Sequence, residues 1–392
     1  MNNINLFSDH CCGCGLCAAV CNQKAISMQV NADGFVTPCV DAGKCTDCGL
    51  CVKKCAYNKE CHLVSEAGKY YLVQHKDALI RARSRSGGAF TAVSDEVLQR
   101  GGSVYGCKMI TAFEAKHTRA ISRTERDAFL GSKYLQSDIT ECYSLIKNDL
   151  ENGKWVLFSG TPCQVEAVKS FCRHMDTSKL VLADIVCYGV PGRYVWGDYL
   201  KVLKSYYRKS IKKIDFRNKA LFGWARHVES IDFENGEHYD GEIYARLFAS
   251  KLILRDACFS CPYKSTSRVG DITLADAWGI DDTYQSFHDN QGTSLVLINS
   301  EKGKNLFEQI SGSVNRIELK TLDGFLQPCL KENWSRPGEY EAFWEDFHRM
   351  NLEDLLCKYI STSVKDTVVK QKRSRVCAIK QKIKRILRNG KG

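Results

Sequence analysis

Apolar and polar positions along the middle of the chain predict strands and helices in alternation. Short apolar runs bounded by glycine or polar residues are typical of buried strands. Between these runs lie helical stretches, one of which opens on Thr161 and Pro162, a favoured start of a helix. Such alternation favours an α/β core. The predicted strands cover residues 69–75, 103–110, 155–160, 179–187, 271–280 and 294–300, and the predicted helices 87–102, 139–150, 161–172, 194–209 and 303–310.

Three other parts of the chain have different patterns. Residues 213–244 alternate around the turn Glu234-Asn235-Gly236, which is typical of a β-hairpin. Residues 320–360 are rich in aromatic side chains and are expected to be helical. Residues 1–60 are rich in cysteine and glycine and have no long periodic element. We therefore expect a small irregular segment before the α/β core and a helical segment after it.

The first 55 residues contain ten of the 21 cysteines, and eight of these form two runs of identical spacing. Each run is C-x2-C-x2-C-x3-C, the spacing of bacterial ferredoxins. Three thiolates on one tight loop can hold three corners of an iron–sulfur cube, and in two-cluster domains the fourth Cys of each run binds the other cluster. The alternative, a structural zinc ribbon, needs only four ligands. We assign one [4Fe-4S] cluster to Cys11, Cys14, Cys17 and Cys55, and the other to Cys45, Cys48, Cys51 and Cys21.

The composition agrees with thiols kept in a reducing compartment. The 392 residues, 44% apolar and 26% charged, predict two or three globular domains. No apolar run approaches the roughly 18 residues of a membrane-spanning helix, and residues 1–12 lack the pattern of a secretory signal. We therefore expect a cytoplasmic protein whose clustered cysteines serve metal or redox chemistry instead of disulfides.

Positive charge is concentrated at the C-terminus. Between Lys365 and Lys391 there are eleven Lys or Arg and one acidic residue. A helical apolar stripe runs through the same segment, and a basic amphipathic helix suits peripheral contact with an anionic membrane at its inner face. A solvated tail is the other interpretation. Nucleic acid is not expected, because no basic patch with interleaved aromatic residues occurs. The stripe consists of Val376, Ile379, Ile383, Ile386 and Leu387.

Seven blocks occur in order after residue 65: SGGAFTAV (86–93), GSKYLQS (131–137), SGTPCQVEAVK (159–169), DIVCYGVP (184–191), FRNK (216–219), LRDACFSCPYK (254–264) and DITLADAWG (271–279). Together they resemble the coenzyme F-420 hydrogenase/dehydrogenase beta-subunit family, in the bacterial form with an N-terminal two-cluster ferredoxin domain. The resemblance covers roughly residues 65–330. Members of this family bind FAD and a [4Fe-4S] cluster, and some oxidise or reduce the deazaflavin coenzyme.

The resemblance implies a third [4Fe-4S] cluster held by Cys163, Cys187, Cys258 and Cys261. These residues lie at predicted strand ends or in loops, where open α/β sheets place their ligand sites. The alternative is that Cys163 and Cys187 are small buried apolar residues, a common fate for cysteine. The other cysteines fall outside these motifs and are interpreted as spare or structural thiols: Cys12, Cys39, Cys61, Cys107, Cys142, Cys172, Cys329, Cys357 and Cys377.

The SGGAF block at a strand–helix junction offers backbone amides and a helix N-terminus to a pyrophosphate. A simple glycine turn is the alternative. The resemblance implies that FAD binds here and that the second block flanks it, where Lys133 would favour an anionic reduced flavin if it lies near the ring. Polar residues of later blocks, such as Arg217 and Asp276, are equally surface groups or substrate contacts. The flavin candidates are Ser86, Gly87, Gly88, Thr91, Gly131, Lys133, Tyr134 and Ser137.

These patterns predict an α+β and α/β multidomain chain. A bacterial-type 2[4Fe-4S] ferredoxin domain comes first, an α/β flavin-binding core follows, and the C-terminal part is helical. The predicted domains are residues 1–60 for the two-cluster ferredoxin, 65–180 for the flavin-binding region, 181–330 for the third cluster and the substrate side, and 331–392 for the helical end with its basic tail.

The leading functional prediction is an FAD- and [4Fe-4S]-dependent oxidoreductase. Clusters handle single electrons whereas a flavin exchanges one or two, which explains their union in one chain. Its expected partners are an electron donor or acceptor protein and a small-molecule substrate. The alternatives are an electron-transfer subunit with no substrate of its own and an iron–sulfur sensor that lacks flavin. No residue is assigned a catalytic role.

Overall fold

We describe the fold from a computed structural model, which covers residues 3–5, 10–57, 68–280 and 282–373. Its strands are β1 (Ile26–Val30), β2 (Val36–Val40), β3 (Lys69–His75), β4 (Ser103–Thr111), β5 (Glu114–Ala120), β6 (Ser137–Asp138), β7 (Val156–Gly160), β8 (Leu180–Ile185), β9 (Ile211–Asp215), β10 (Glu229–Phe233), β11 (His238–Gly241), β12 (Ile272–Asp276), β13 (Ser294–Ile298) and β14 (Val314–Leu319). Its α-helices are α1 (Leu16–Ala19), α2 (Leu50–Lys54), α3 (Ala78–Arg83), α4 (Ala89–Gln99), α5 (Arg123–Arg126), α6 (Cys142–Glu151), α7 (Pro162–Cys172), α8 (Arg193–Tyr207), α9 (Lys219–Phe222), α10 (Ile243–Ala249), α11 (Glu301–Gln309), α12 (Tyr340–Phe347) and α13 (Leu352–Ile360).

A mixed sheet of nine strands forms the centre of the fold, in the order β14-β3-β13-β12-β8-β7-β4-β5-β6. Strands β12, β8, β7 and β4 are mutually parallel, and β3 has the same direction because β13 runs antiparallel to both β3 and β12. The carboxyl ends of these five strands therefore lie along one edge of the sheet, which we call the carboxyl edge. Open α/β sheets bind their ligands at such an edge.

The sequence correctly predicted most elements of this sheet. The apolar runs became β3, β4, β7, β8, β12 and β13, and β13 is buried at all five positions. Helix α7 begins at Pro162 with Thr161 as its N-cap, in a capping box with Gln164. The mixed α/β architecture of the core is therefore confirmed.

Strands from both sides of the predicted boundary at 180/181 share this one sheet, because β3 to β7 precede the boundary, β8 contains it, and β12, β13 and β14 follow it. The boundary therefore does not separate two sheets. The domain division itself remains a prediction.

The N-terminal segment packs on helix α7. Leu16 and Ala56 join the apolar cluster that contains Val165 and Val168, and the Tyr143 hydroxyl donates a hydrogen bond of 2.9 Å to the Cys14 carbonyl. Within the segment, β1 and β2 form an antiparallel hairpin.

A second, smaller sheet lies on the C-terminal side. Its order is β11-β10-β9, so the predicted hairpin at 213–244 is the β10–β11 pair extended by a third strand. Helices α8, α10, α12 and α13 contribute to its apolar core. Helices α12 and α13 confirm the helical prediction for residues 340–360, but the prediction is wrong for residues 320–339, where the structure has turns and the short 3-10 helix Pro328–Leu330. The apolar stripe Val376 to Leu387 lies outside the described residues, so the membrane contact remains a prediction. No helix among the described residues is long and apolar enough to span a membrane.

Gly87 occupies a position where two backbones meet. A Cβ added there would lie 2.0 Å from the Val73 carbonyl oxygen and 2.6 Å from the Ser294 amide nitrogen. Its carbonyl accepts from the His75 amide at 2.7 Å and its own amide donates to the Ser294 hydroxyl at 3.0 Å. Close packing of the loop before α4 against β3 and β13 therefore requires glycine.

Gly87→Ala is expected to lower the free energy of unfolding by about 2–3 kcal/mol, because neither neighbouring backbone can move without breaking the sheet. Denaturant titration of the two proteins measures the difference. Gly312→Ala is the matched control, since no atom lies within 4 Å of its added Cβ, and it should change stability by less than about 0.5 kcal/mol. Equal stabilities of the two variants would contradict the packing argument.

Candidate functional site

The first cysteine run wraps around a tight loop that ends in helix α1. Gly13 and Gly15 have φ values of 70° and 74°, a conformation that glycine adopts without strain. Burial, followed by the nearby Cys14, Cys11 and Cys55 thiols, raises the pKa of the Cys17 thiol. The structure thus brings together the four residues assigned to one cluster: Cys11, Cys14, Cys17 and Cys55.

The second run has the same local form at helix α2, with Gly49 at a φ of 71°. Burial, opposed by backbone amides and reinforced by Cys48, raises the pKa of Cys51, and Cys21 packs against the same small apolar cluster as Cys51. The Cys45 thiol lies 3.7 Å from the Asp47 carboxylate. Cys48 is exposed, so this end of the segment faces solvent.

Backbone amides donate hydrogen bonds to several of the predicted ligand sulfurs. The amides of Gly13, Ala25 and Val190 lie 3.2, 3.3 and 3.4 Å from the sulfurs of Cys11, Cys21 and Cys258, respectively. Such bonds favour the thiolate form and tune the reduction potential of a cluster.

A cavity at the carboxyl edge collects the remaining predicted ligands. Cys163 enters from the first turn of α7, and Cys187 follows the end of β8. Cys258 and Cys261 come from the loop between α10 and β12, and the structure therefore brings all four residues to one cavity. We call it the thiol cavity; its lining is Cys12, Tyr57, Pro162, Cys163, Cys187, Gly189, Val190, Arg255, Cys258, Cys261, Tyr263, Lys264 and Cys329.

Two of these thiols were missed by sequence reasoning, which interpreted Cys12 as spare and Cys329 as structural. Hydrogen bonding with Cys14 of the first run and with Cys163 of the cavity, followed by burial, raises the pKa of the Cys12 thiol. Burial raises the pKa of Cys187, and after it the charges of Cys258, Cys163, Cys261 and Cys329 do the same. Cys12 follows Cys11 directly, and Cys329 has no other cysteine near it in the sequence. Their spacing therefore gives no indication that they lie at the thiol cavity.

Two buried cations face the thiols. Arg255 is 4% exposed and donates to the Cys11 and Val36 carbonyls, each at 2.8 Å. Lys264 is 8% exposed, and its ammonium has no hydrogen-bond acceptor among the described residues. The ammonium lies 4.9 Å from the centre of the Trp334 ring, and the net negative charge of four thiolates around a [4Fe-4S] core would offset the remaining cost of burying it.

The thiol cavity fits a cluster better than a single ion. Within residues 3–5, 10–57, 68–280 and 282–373, no three His, Cys, Asp or Glu side chains converge as the ligands of one metal ion do. A cube of four irons and four sulfides instead spreads its thiolates around its outer surface. The donor set and the unpaired Lys264 ammonium therefore both fit an iron–sulfur cluster.

The predicted flavin residues of the first block lie at the carboxyl edge, but their polar groups are already engaged. The Ser86 hydroxyl donates to the Thr293 carbonyl at 2.7 Å, and the Gly87 amide donates to Ser294. Thr91 is 2% exposed and its hydroxyl lies 3.3 Å from that of Ser84. Gly88 caps α4 at a φ of 92°. The block therefore supports packing of α4 on the sheet, as a glycine turn would.

Side chains of the second block, residues 131–137, also form hydrogen bonds within the chain. The Lys133 ammonium donates to the carbonyls of residues 128, 129 and 130, and burial lowers its pKa to about 8. Ser137 accepts from the Gln164 side chain at 3.0 Å, and Gly131 has a φ of 80°. Tyr134 is different, because its half-buried ring contacts other aromatic rings.

A file of aromatic rings connects the thiol cavity with Tyr134. Tyr188 follows Cys187 in the chain, and its ring centroid lies 5.0 Å from that of Phe248. Phe248 lies 5.0 Å from Tyr134, which lies 4.8 Å from the His227 ring. Arg85, which directly precedes the first block, lies close enough to Tyr134 for the tyrosine to act on the pKa of the arginine. The aromatic file therefore leads from the thiol cavity to Tyr134.

Comparisons with known proteins agree with the cysteine pattern. Residues 10–59 match the family model of a 4Fe-4S dicluster domain, and residues 153–324 match that of the C terminus of the coenzyme F420 hydrogenase/dehydrogenase beta subunit. Among solved structures, the F420-reducing [NiFe] hydrogenase complex of Methanosarcina barkeri contains a similar chain, with 16% identity and a TM-score of 0.47. That alignment covers 64% of this chain and 82% of the other. No curated protein matches.

The N-terminal match explains the two identical cysteine runs, and the C-terminal match includes all four thiols predicted to hold a third cluster. Residues 153–324 are therefore related to the C-terminal part of the coenzyme F420 hydrogenase/dehydrogenase beta subunit, and the chain is an iron–sulfur electron-transfer protein with a 4Fe-4S dicluster domain at its N-terminus.

Proposed function

We propose that the chain is a flavin-dependent oxidoreductase in which three [4Fe-4S] clusters connect a protein electron partner with FAD and an organic substrate or a deazaflavin-like coenzyme. The observation that carries this proposal is the position of the thiol cavity. Cys12 links it to the first cysteine run, and the aromatic file leads from it to Tyr134.

Each cluster would be held by one of the predicted sets of four thiols. Cys11, Cys14, Cys17 and Cys55 would hold the cluster nearer the core, and Cys45, Cys48, Cys51 and Cys21 the cluster nearer solvent. Cys163, Cys187, Cys258 and Cys261 would hold the third. When bound, the clusters supply one-electron transfer.

The chain's own residues position and tune these sites. Backbone amides orient the sulfurs and favour their ionised form. Arg255 ties the first cysteine loop to the thiol cavity, because its guanidinium spans the Cys11 and Val36 carbonyls and lies 4.9 Å from the centre of the Phe35 ring. Lys264 supplies the buried positive charge.

We place FAD at the carboxyl edge, near Tyr134. Ser86, Gly87, Thr91, Lys133 and Ser137 already have hydrogen-bond partners within the chain, so they would shape this region more than they would bind phosphate. The half-buried rings of Tyr134 and His227 offer an aromatic surface to an isoalloxazine ring.

The second candidate function is an electron-transfer subunit that docks on a partner enzyme and has no substrate of its own. The exposed position of Cys48 favours it, since a cluster bound there would lie near the surface and could exchange electrons with a docked protein. Such a subunit would reduce artificial acceptors without binding flavin.

Purification without oxygen tests the proposal. We expect about 12 iron atoms per chain and about one FAD released on denaturation, because three cubes carry four irons each. Iron analysis and absorbance of the released flavin are the measurements. About 12 iron atoms with no flavin after reconstitution would favour the electron-transfer subunit, and about 8 iron atoms would remove the third cluster.

A further inference from the structure

Two arginines lie side by side at the carboxyl edge, next to the SGGAF block. The Arg85 guanidinium donates to the Arg217 carbonyl at 3.4 Å, and both guanidinium groups donate to the Trp224 carbonyl, at 2.5 Å from Arg85 and 3.2 Å from Arg217. We call Arg85 and Arg217 the arginine pair. Like charges so close repel each other unless an anion lies between or beside them.

The surrounding residues supply too little negative charge. Asp276 pairs with Arg217 at 3.0 Å and uses its other oxygen to accept from the Trp224 indole at 2.8 Å. Asp215 accepts from the Arg217 backbone amide. The hydrogen bonds of Arg85 go to carbonyls, and so do those of the neighbouring Lys219 ammonium. With the Arg81–Asp289 pair, which also acts on Lys219, four basic side chains therefore face three carboxylates.

Two guanidinium donors also lack acceptors. Nε of Arg85 and Nε of Arg217 are buried, and neither has a hydrogen-bond partner in the part of the chain that the structure describes. Arg217 as a whole is only 8% exposed. An unpartnered buried donor costs about 1–3 kcal/mol, so two on adjacent guanidinium groups point to a missing acceptor.

The electrostatics agree with this geometry. Burial, and then the charge of Arg217, lower the pKa of Arg85 to about 10. Burial, and then the charges of Arg217 and Arg85, lower the pKa of His227 to about 3, so His227 is neutral at physiological pH. Positive potential at this edge is therefore high enough to disfavour further protonation and to attract an anion.

We propose that the arginine pair binds one oxyanion, a phosphate or carboxylate carried by the flavin or by the substrate. Guanidinium groups match such oxygens in planar, charge-assisted hydrogen bonds. The Tyr134–His227 ring pair beside them suits the aromatic part of the same ligand. The identity of this ligand rests on the proposed function, but the anion site itself does not depend on flavin being present.

Inorganic phosphate is the probe for this site. The full-length chain, purified without oxygen, is unfolded thermally in increasing phosphate, with sodium chloride at equal ionic strength as reference. We expect phosphate to raise the midpoint of the wild type. Arg85→Gln, which leaves the Arg217–Asp276 pair intact, should weaken phosphate binding by about tenfold. Arg83→Gln is the control, because its side chain is 62% exposed, and it should behave as the wild type.

Flavin binding distinguishes the two sources of the oxyanion. If it belongs to the flavin, Arg85→Gln should weaken FAD binding by about tenfold and leave riboflavin, which has no phosphate, unchanged. If it belongs to the substrate, both flavins should bind as in the wild type while the response to phosphate is lost. Either result supports the site.

The proposal is overturned if phosphate stabilises the wild type no more than chloride does, or if Arg85→Gln responds to phosphate like the wild type. Should Arg85→Gln not fold, Arg85→Lys keeps the charge, loses the planar fork and is expected to bind phosphate more weakly than the wild type. Absence of flavin from the wild type would count against the proposed function and would leave the phosphate result intact.

Discussion

The double substitution Cys258→Ser and Cys261→Ser is expected to lower the iron content from about 12 to about 8 atoms per chain. Both thiols line the thiol cavity, and neither belongs to an N-terminal cysteine run. A serine hydroxyl is a poor ligand for iron in a cube, so the third cluster should be lost.

Iron analysis and electron paramagnetic resonance of the reduced protein measure this effect together. The signals of two clusters should persist, since Cys11, Cys14, Cys17 and Cys55, with the second run, keep their ligand sets. The matched control is the double variant Cys39→Ser and Cys357→Ser, in which two exposed thiols are removed, and it should retain about 12 iron atoms. Full iron in the cavity variant would contradict the ligand assignment.

The second prediction with a large expected effect on stability concerns a buried ion pair close to the thiol cavity. Arg268 and Asp184 have side chains that are 1% and 0% exposed, and their closest nitrogen and oxygen lie 2.7 Å apart. Arg268 also donates to the Tyr263 carbonyl at 2.8 Å, and Asp184 accepts from the Gly270 amide at 2.8 Å. The pair therefore fastens the loop after Cys261 to the end of β8.

Arg268→Met is expected to lower the free energy of unfolding by about 3–5 kcal/mol, because it leaves the buried Asp184 carboxylate without its partner charge. Denaturant titration without oxygen measures the loss. Lys201→Met removes one partner of an ion pair on the surface, with side chains 74% and 38% exposed, and should change stability by less than about 1 kcal/mol. Similar losses of unfolding free energy in the two variants would contradict the argument that burial makes the Arg268–Asp184 pair stabilising.

Local sequence patterns predicted the elements of the fold well. Apolar runs such as 294–298 became fully buried strands, and the Thr161-Pro162 start became the observed beginning of α7. These outcomes depend on hydrophobic periodicity and on the missing amide of proline, which act within a few residues.

The same patterns do not reveal which hydrogen bonds the predicted flavin residues make within the chain. The glycines of the SGGAF block satisfy a close approach between Gly87 and Val73 that no spacing in the sequence reveals. The Lys133 ammonium donates to three carbonyls just before it in the chain, a contact that the motif does not predict. A polar residue in a recognisable motif can either bind a ligand or hold the fold together. Its hydrogen-bond partners in the tertiary structure show which of these two roles it has.

By itself, the sequence determined that this protein carries a dicluster domain, because the ligands of each loop lie two residues apart and their geometry is local. Only the tertiary structure decided that Cys12 and Cys329 join four distant thiols in one cavity, and that Arg85 and Arg217 meet without enough carboxylate. These residues are far apart in the chain and approach one another only through packing, because Cys163 and Cys187 follow the parallel strands β7 and β8 at one edge of the sheet and other loops bring the remaining residues there.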